Sequence, residues 1–215
     1  MDNKEILSHI DHTLLKAFAT WDQIETLCKE AVENGTASVC VPPSYIRRIH
    51  ENFPDLNICT VVGFPLGYET TAGKIADTVQ CIKDGASEID MVVNIAEVKN
   101  GNFVFVEDEI KKLREVTKGK ILKVIIETCY LTEEEKKKLC KCVTDAGADY
   151  IKTSTGFGTA GATYEDIELF KANIGPDVKI KAAGGIRTAK EAERYIELGC
   201  SRVGASSVVG DINGK

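Results

Sequence analysis

The chain has 215 residues, of which 43% are hydrophobic and 28% charged, a composition typical of an ordinary globular protein. Its length favours a single domain over residues 1–215, because α/β barrels of about 200–250 residues routinely form one domain. The formal net charge of −6 argues against a nucleic-acid partner, which would need a basic face. Since no signal-peptide pattern opens the chain and no apolar run approaches the ~20 residues that span a bilayer, we expect a cytoplasmic protein with no membrane partner.

Eight strand-like runs of β-branched and apolar residues follow one another along the chain, at 10–15 (weakly), 38–41, 58–63, 88–93, 122–127, 150–154, 178–183 and 202–205. Helical stretches lie between them, and Thr20, Thr132, Thr163 and Thr188 each have an acid or amide three residues on, the pattern of a helix start. We therefore predict an α/β fold, a single (β/α)8 TIM barrel with a short N-terminal helix. An open doubly wound sheet is the alternative, but no Gly-x-Gly-x-x-Gly follows an early strand.

A glycine recurs after four of the predicted helices, at Gly35, Gly85, Gly147 and Gly199, where it is typical of a left-handed helix cap. The residues five positions later are Cys40, Asp90, Lys152 and Gly204. If the four turns are alike, strand alternation points these residues toward one side, so Asp90 and Lys152 should both face the barrel interior. Chance recurrence of short glycine turns is the alternative.

Two lysines, Lys152 and Lys181, lie in apolar strand-like runs that give way to glycine. An ammonium is costly to bury, and a second ammonium nearby further disfavours the charged form. A neutral amine is a nucleophile, so we interpret Lys152 as a Schiff-base lysine and Lys181 as the neighbour that tunes its pKa and exchanges protons. Two lysines that merely extend to solvent at strand tips are the alternative.

Three further ionisable residues, Asp90, Lys123 and Asp11, stand in apolar surroundings. A buried aspartate is expensive without a cation nearby, which Lys152 or Lys181 would supply for Asp90. We assign Asp90 a proton-transfer role. Lys123 and Asp11 are candidates for substrate contacts or for supporting positions behind the site, and the sequence does not decide between these roles.

Glycine and serine residues at the ends of the last two strands, Gly184, Gly185, Gly204, Ser206 and Ser207, predict a phosphate site, because backbone N–H groups in such turns bind dianions. The loops after strands seven and eight are also the usual phosphate cradle of this barrel. A metal is not expected, since the three histidines His9, His12 and His50 form no ligand-like pair.

Four segments, 10–14, 88–94, 152–157 and 179–187, together resemble the deoxyribose-phosphate aldolase family, and the similarity runs from about Ile10 to Ser207. The resemblance implies a class I aldolase that reversibly cleaves 2-deoxy-D-ribose 5-phosphate to D-glyceraldehyde 3-phosphate and acetaldehyde in deoxyribonucleoside catabolism, without metal or cofactor. It implies that Lys152 forms the Schiff base, that Lys181 and Asp90 transfer protons, and that Gly184, Gly185, Ser206 and Ser207 belong to the phosphate loops. We add Thr155, Gly156 and Gly204 as further candidates for binding the substrate or its phosphate.

The chain departs from one family pattern, because some members carry a longer tail with a tyrosine that assists proton transfer, whereas here no tyrosine follows Tyr195. Proton exchange at the enamine must then use other groups or water, and the last helix is expected to be short. Two other functions stay open: a phosphosugar isomerase, and a phosphometabolite-binding protein without turnover. The sequence also leaves open a homo-oligomer (dimer or tetramer) and the reactivity of Cys40.

Overall fold

The computed structural model describes residues 1–214. Its eight strands are β1 (Ile10–Thr13), β2 (Ser38–Val41), β3 (Ile58–Val62), β4 (Glu88–Val92), β5 (Ile121–Ile125), β6 (Tyr150–Lys152), β7 (Lys179–Ala183) and β8 (Arg202–Ala205). They pair in chain order, all in parallel, and β8 closes on β1. The predicted closed (β/α)8 barrel is confirmed, and the open sheet is excluded.

Among the described residues, ten α-helices accompany the strands: α1 (Asn3–Ser8), α2 (Trp21–Asn34), α3 (Ile46–Asn52), α4 (Thr71–Asp84), α5 (Ile95–Lys99), α6 (Phe103–Val116), α7 (Glu133–Asp145), α8 (Tyr164–Asn173), α9 (Ala189–Glu197) and α10 (Val208–Ile212). Short 3-10 helices occur at Pro43–Tyr45 and Thr128–Tyr130. Helix α1 is the predicted short N-terminal helix, and the last helix, α10, has only five residues. None of the helices within residues 1–214 is both long and apolar enough to cross a bilayer.

The predicted helix starts follow from local hydrogen bonding. Reciprocal capping boxes begin α2, α7 and α9 at Thr20, Thr132 and Thr188. At α8 the side chain of Thr163 accepts from the backbone N–H of Asp166, but the Asp166 carboxylate is paired with Lys136 at 2.5 Å. The helix therefore starts where the sequence indicates, with only one of the two hydrogen bonds of the expected capping box.

The two faces of the strands bury different chemistry. The outward residues are apolar and pack against the helices in one core, as Ile89, Met91 and Val124 do with Ile110 and Leu113. The inward residues include a small apolar cluster of Cys40, Cys59 and Val61, and a group of fully or nearly fully buried charges. Because strand residues alternate between faces, these charged side chains form a polar column along the barrel axis. The column consists of Asp11, Glu88, Asp90, Lys123, Lys152, Lys181 and Arg202.

Candidate active site

Lys152 ends β6, and its amine lies against the carboxylate of Asp90 in β4. The Nζ donates to Asp90 Oδ2 at 2.7 Å, and the side chain is only 4% exposed. Lys181 is the register partner of Lys152 on β7, and its Nζ donates to the same Asp90 oxygen at 2.8 Å. The two amines are thus within two hydrogen-bond lengths of each other, and Asp90 is the group that joins them.

Asp90 is completely buried and is surrounded by cations. Its second oxygen, Oδ1, accepts from Lys123 Nζ at 2.9 Å and from Cys59 Sγ at 3.1 Å. Burial alone would raise the pKa of Asp90, but the positive charges of Lys123 and Lys181 and the hydrogen bond from Lys152 hold that pKa well below its usual range. Asp90 is therefore an ionised carboxylate at neutral pH.

Asp11 and Lys123 lie beneath this centre, and neither lines the cavity above Lys152. Asp11 Oδ2 is 2.5 Å from Lys181 Nζ, without hydrogen-bond angles, and its Oδ1 accepts from Ser38 Oγ at 2.8 Å. Although burial opposes it, Lys181, Lys123 and Arg202 lower the pKa of Asp11. Of the two roles left open for Asp11 and Lys123, the supporting one fits their position.

Lys181 and Lys123 are both held in the charged form by these acids. Burial lowers the pKa of Lys181, but the Asp11 and Asp90 carboxylates outweigh it and the net direction is upward. Burial likewise lowers the pKa of Lys123, and the nearby Asp90, Cys59, Asp11 and Glu88 raise it well above the usual lysine value. Lys181 therefore presents a fixed positive charge beside Lys152.

Sequence reasoning missed two members of this column, Glu88 and Arg202. Glu88 Oε2 accepts from Lys123 Nζ at 2.5 Å, and Arg202 donates to both Glu88 oxygens at 2.8 and 3.1 Å. Arg202 also contacts Asp11. Glu88 lies two positions before Asp90, and Arg202 lies two positions before Gly204. Because residues two apart in a strand face the same side, this spacing could have placed both side chains in the barrel interior.

A cavity of about 310 Å³ opens above Lys152 at the carboxyl end of the barrel. Six of the residues predicted to bind substrate or phosphate line it with Lys152, namely Thr155, Gly156, Gly184, Gly185, Gly204 and Ser206. Ser207 does not line the cavity, because its hydroxyl donates to the Arg187 carbonyl at 3.0 Å. Lys16 and Phe157, which the sequence did not single out, also line it.

The loop after β7 touches the loop after β6 through glycine backbone. Gly184 has φ +86°, and a Cβ on Gly161 would lie 2.1 Å from the Gly184 carbonyl oxygen. The N–H of Ala162 bonds to the same carbonyl at 3.2 Å. Side chains at these glycines would push the loops apart, so the cavity wall requires the glycines.

Glu127, just past β5, fixes the loop that carries Thr155. It is the one non-glycine residue with positive φ (54°) among residues 1–214, and it is 1% exposed. Its carboxylate accepts from the Thr155 N–H at 3.2 Å and from the Thr155 hydroxyl, which in turn accepts from the Phe157 N–H at 3.0 Å. Backbone strain of this kind often lies beside functional sites.

Cys40 is the register partner of Cys59 on β3 and is completely buried. Its hydrogen bond with Cys59 lowers the pKa of the Cys40 thiol, to which Lys181 and Lys152 also contribute. Cys40 thus lies close to both amines but does not line the cavity. Whether it reacts stays a prediction.

Two groups of buried side chains hold possible metal-ligand atoms within 4.8 Å of one another, Cys40 with Cys59 and Asp90, and Asp11 with Cys59 and Glu88. The carboxylates of both groups already contact lysine or arginine nitrogens. A metal cation would have to displace or neutralise those ammonium groups, so the donor set fits protein cations better than a metal.

The fold and this site define a TIM-barrel protein with an amine–carboxylate centre at the carboxyl end of the strands, where barrel enzymes carry out their chemistry. The sequence profile of the DeoC/LacD family of aldolases matches residues 5–214. The chain belongs to that family and is an aldolase.

Individual relatives agree with this assignment. The chain is similar to the deoxyribose-phosphate aldolase of Clostridium botulinum (strain Alaska E43), with 62% identity over 216 residues that cover 100% of this chain and 98% of the relative. It is 53% identical to that of Clostridioides difficile over 206 residues, 95% of this chain and 94% of the relative. Among solved structures, the aldolase QR15 matches with a TM-score of 0.93 and 37% identity over 98% of this chain and 96% of that one. A deoxyribose phosphate aldolase from Aeropyrum pernix, described as tetrameric, matches with a TM-score of 0.91 and 28% identity over 99% and 92% of the two chains.

Proposed function

We propose that the protein reversibly cleaves 2-deoxy-D-ribose 5-phosphate to D-glyceraldehyde 3-phosphate and acetaldehyde through a Schiff base on Lys152. The observation that carries this proposal is the convergence of two lysine amines on one oxygen of a buried aspartate beneath the cavity. The names of the relatives supply the substrate.

The charge balance of the barrel interior supports Lys152 as the nucleophile. The four cations Lys123, Lys152, Lys181 and Arg202 face the three carboxylates Asp11, Glu88 and Asp90, so positive charge is in excess by one. Excess charge is expensive to bury, and it is relieved if one amine releases its proton. Arginine does not do so, and Lys123 and Lys181 are held charged by their acids. Lys152, which alone among these cations lines the cavity, is left to become the free amine.

In the proposed cycle the neutral amine of Lys152 adds to the C1 aldehyde of the open-chain sugar, and loss of water gives an iminium. The iminium accepts the electron pair of the breaking C2–C3 bond while Asp90, directly or through a water molecule, removes the proton of the C3 hydroxyl. Glyceraldehyde 3-phosphate leaves. Lys181, charged at rest, donates a proton to the enamine carbon and is reprotonated by Asp90, which returns to the carboxylate. Hydrolysis of the resulting iminium then releases acetaldehyde and the free amine. The iminium nitrogen takes up the charge that a metal would otherwise stabilise.

The phosphate is bound, in this proposal, by the turns at Gly184–Gly185 and at Gly204–Ser206, with Lys16 adding a cation at the cavity. Thr155 and Gly156 form the opposite wall. A place in deoxyribonucleoside catabolism stays a prediction from the resemblance, and the cytoplasmic location and the single domain stay predictions from the sequence. The sequence leaves a dimer or tetramer open, and the Aeropyrum relative is described as tetrameric; size-exclusion chromatography with light scattering would measure the state of this chain.

A reductive trap tests the proposal. Borohydride added with acetaldehyde should inactivate the protein irreversibly and add one ethyl group to Lys152, which peptide mapping by mass spectrometry would locate. Lys152→Ala should lose both label and turnover. The exposed residue Lys118, replaced by alanine, is the control and should keep both.

Different results separate the alternatives. A label on Lys181 or Lys123 would keep the aldolase chemistry but reassign the nucleophile. An active enzyme that takes no label would overturn the Schiff base and favour an isomerase-like acid–base mechanism. Chelators should leave the activity unchanged, and loss of activity that added metal restores would overturn metal independence.

A further inference from the structure

The polar column of the barrel continues well below the amine of Lys152. Lys123 links Asp90 to Glu88 through contacts of 2.9 and 2.5 Å, and Glu88 is held by the two donors of Arg202. Neither Glu88 nor Arg202 lines the cavity. Arg202 begins β8, at the end of the barrel opposite the cavity, and its side chain is 12% exposed.

Glu88 and Arg202 interact electrostatically with Lys152, because the residues that connect them to it are buried. Lys123, Asp90 and Lys181 are 0% exposed and Glu88 is 2% exposed. Charges in such an interior are screened less than charges at the surface, so their effects reach farther. A change of charge at Arg202 or Glu88 should therefore be felt at Lys152.

Of the other titratable groups that face the column, Cys59 and Tyr150 do not supply the negative charge that would cancel the excess. Cys59 and Tyr150 face the charges, and burial raises the pKa of both groups, so each is neutral near pH 7. Cys40, the register partner of Cys59 on the neighbouring strand, is the exception, because its hydrogen bond with Cys59 lowers the pKa of its thiol. Lys179, whose Nζ is 5.8 Å from the Tyr150 ring centroid, is exposed at the start of β7 and is solvated. With Cys40 as a neutral thiol the four cations exceed the three carboxylates by one, and Arg202 contributes to that excess as much as each lysine does.

We propose that Arg202 and Glu88 are positioning residues of opposite sign that set the pH range in which Lys152 reacts. Arg202 supplies the positive charge that makes a fourth buried cation unfavourable, and Glu88 opposes it. The inference rests on the proposed role of Lys152. It concerns residues that touch neither the substrate nor the reacting amine.

The proposal predicts the sign of each change. Arg202→Met leaves three cations against three carboxylates, so Lys152 keeps its proton and the acid limb of the pH–rate profile moves to higher pH. Glu88→Gln leaves four cations against two carboxylates, so the limb moves to lower pH. The double variant restores an excess of one, and its limb should return toward that of the parent protein.

The expected size follows from Coulomb's law. A unit charge about 10 Å away, at an effective dielectric constant of about 20, shifts a titration by about one pH unit. On the acid limb this is about a tenfold change in rate at fixed pH. Arg202→Lys keeps the charge, so its rate at fixed pH on the acid limb should stay within about a factor of three of the parent's rate.

The test measures kcat/KM for 2-deoxy-D-ribose 5-phosphate from pH 5 to 9 in the parent, both single variants, the double variant and Arg202→Lys. Arg47→Met is the control for net charge, because Arg47 pairs with Asp84 at the surface, away from the barrel interior. Circular dichroism checks that each variant is folded. Borohydride labelling at pH 8 checks that Lys152 is still the residue that reacts.

Opposite shifts in the single variants, with compensation in the double variant and none in Arg47→Met, are the expected result. Shifts in the same direction, or limbs that coincide while Lys152 is labelled in all variants, would overturn the inference. An active parent without label on Lys152 would overturn the proposed function instead. If Arg202→Met does not fold, Glu88→Gln decides, and a limb that fails to move to lower pH refutes the inference.

Discussion

Replacing Lys181 by methionine removes one ammonium from the buried column and keeps a side chain of similar length. Lys181 is completely buried, and its Nζ lies 2.8 Å from Asp90 and 2.5 Å from Asp11. Both carboxylates lose a partner in the variant and keep the others, Lys123 and Lys152 for Asp90 and Arg202 for Asp11. Two effects are expected, one on stability and one on the pH dependence of activity.

Removing one partner of a buried ion pair costs about 3–5 kcal/mol when the remaining charge has no other partner. Because both carboxylates keep other cations here, we expect a smaller loss of about 1–3 kcal/mol, which for a chain of this size is a fall in Tm of about 2–12 °C. The pKa of Lys181 is raised in the folded protein, so its stabilising contribution is fully present below the ordinary lysine pKa of about 10.4 and is lost only as pH rises through the raised value. The contribution of the Lys181 charge itself should therefore be constant from pH 6 to 9, and a gap that changes with pH in this range reports the different protonation of Lys152 in parent and variant.

The activity of Lys181→Met should fall at neutral pH and recover in part at higher pH, because three cations now balance three carboxylates and Lys152 keeps its proton. Urea unfolding at pH 6, 7.5 and 9 and a pH–rate profile measure the two effects, with the exposed Lys118→Met as control. A stability loss below about 1 kcal/mol would refute the reasoning on burial. A profile of unchanged shape would mean that Lys181 relays a proton and does not tune its neighbour.

Three other predictions concern the phosphate, the cavity wall and acid stability. Ser206→Asp should raise KM for the sugar phosphate by like-charge repulsion, and the parent should use 2-deoxyribose far less well than its phosphate; equal efficiency on both sugars in steady-state assays would contradict the phosphate site. Glu127→Gln should raise KM several-fold with little change in kcat, since the Thr155 loop loses a charged acceptor, whereas the exposed Glu168→Gln should change neither. The pKa of Asp90 is lowered by its lysines despite burial. Its stabilising contribution is therefore present above the unfolded-state pKa of about 3.9 and is lost as pH falls through the lower folded-state pKa. The urea midpoint should accordingly depend less on pH between pH 2 and 6 in Asp90→Asn than in the parent.

The position of the central residues could be predicted because each breaks a local pattern. Lys152, Lys181 and Asp90 are charges inside apolar runs, and strand alternation places charges of equal parity on one face. The glycine turns gave an independent register, since Gly35 and Gly85 end α2 and α4 in the left-handed conformation. These patterns depend only on residues close together in the chain, so they can be recognised without knowledge of tertiary contacts.

Other features could not be predicted because they depend on closure of the barrel. Arg202 and Glu88 are 114 positions apart in the chain and meet only across the closed barrel interior. Glu127 was predicted to end a strand, but its left-handed backbone stops β5 at Ile125 and points the carboxylate to Thr155. Nothing in a local pattern distinguishes such a residue from an ordinary strand end.

The same long-range closure explains why this interior can hold so much charge. A lone buried lysine or carboxylate would neutralise or unfold the chain, whereas in this barrel each carboxylate has at least two cationic neighbours on other strands. Bringing these neighbours together requires all eight strands to be in register, since the partners come from β1, β4, β5, β6, β7 and β8. Correct closure is therefore a condition both for burying these charges and for leaving one amine, at the cavity, free to react.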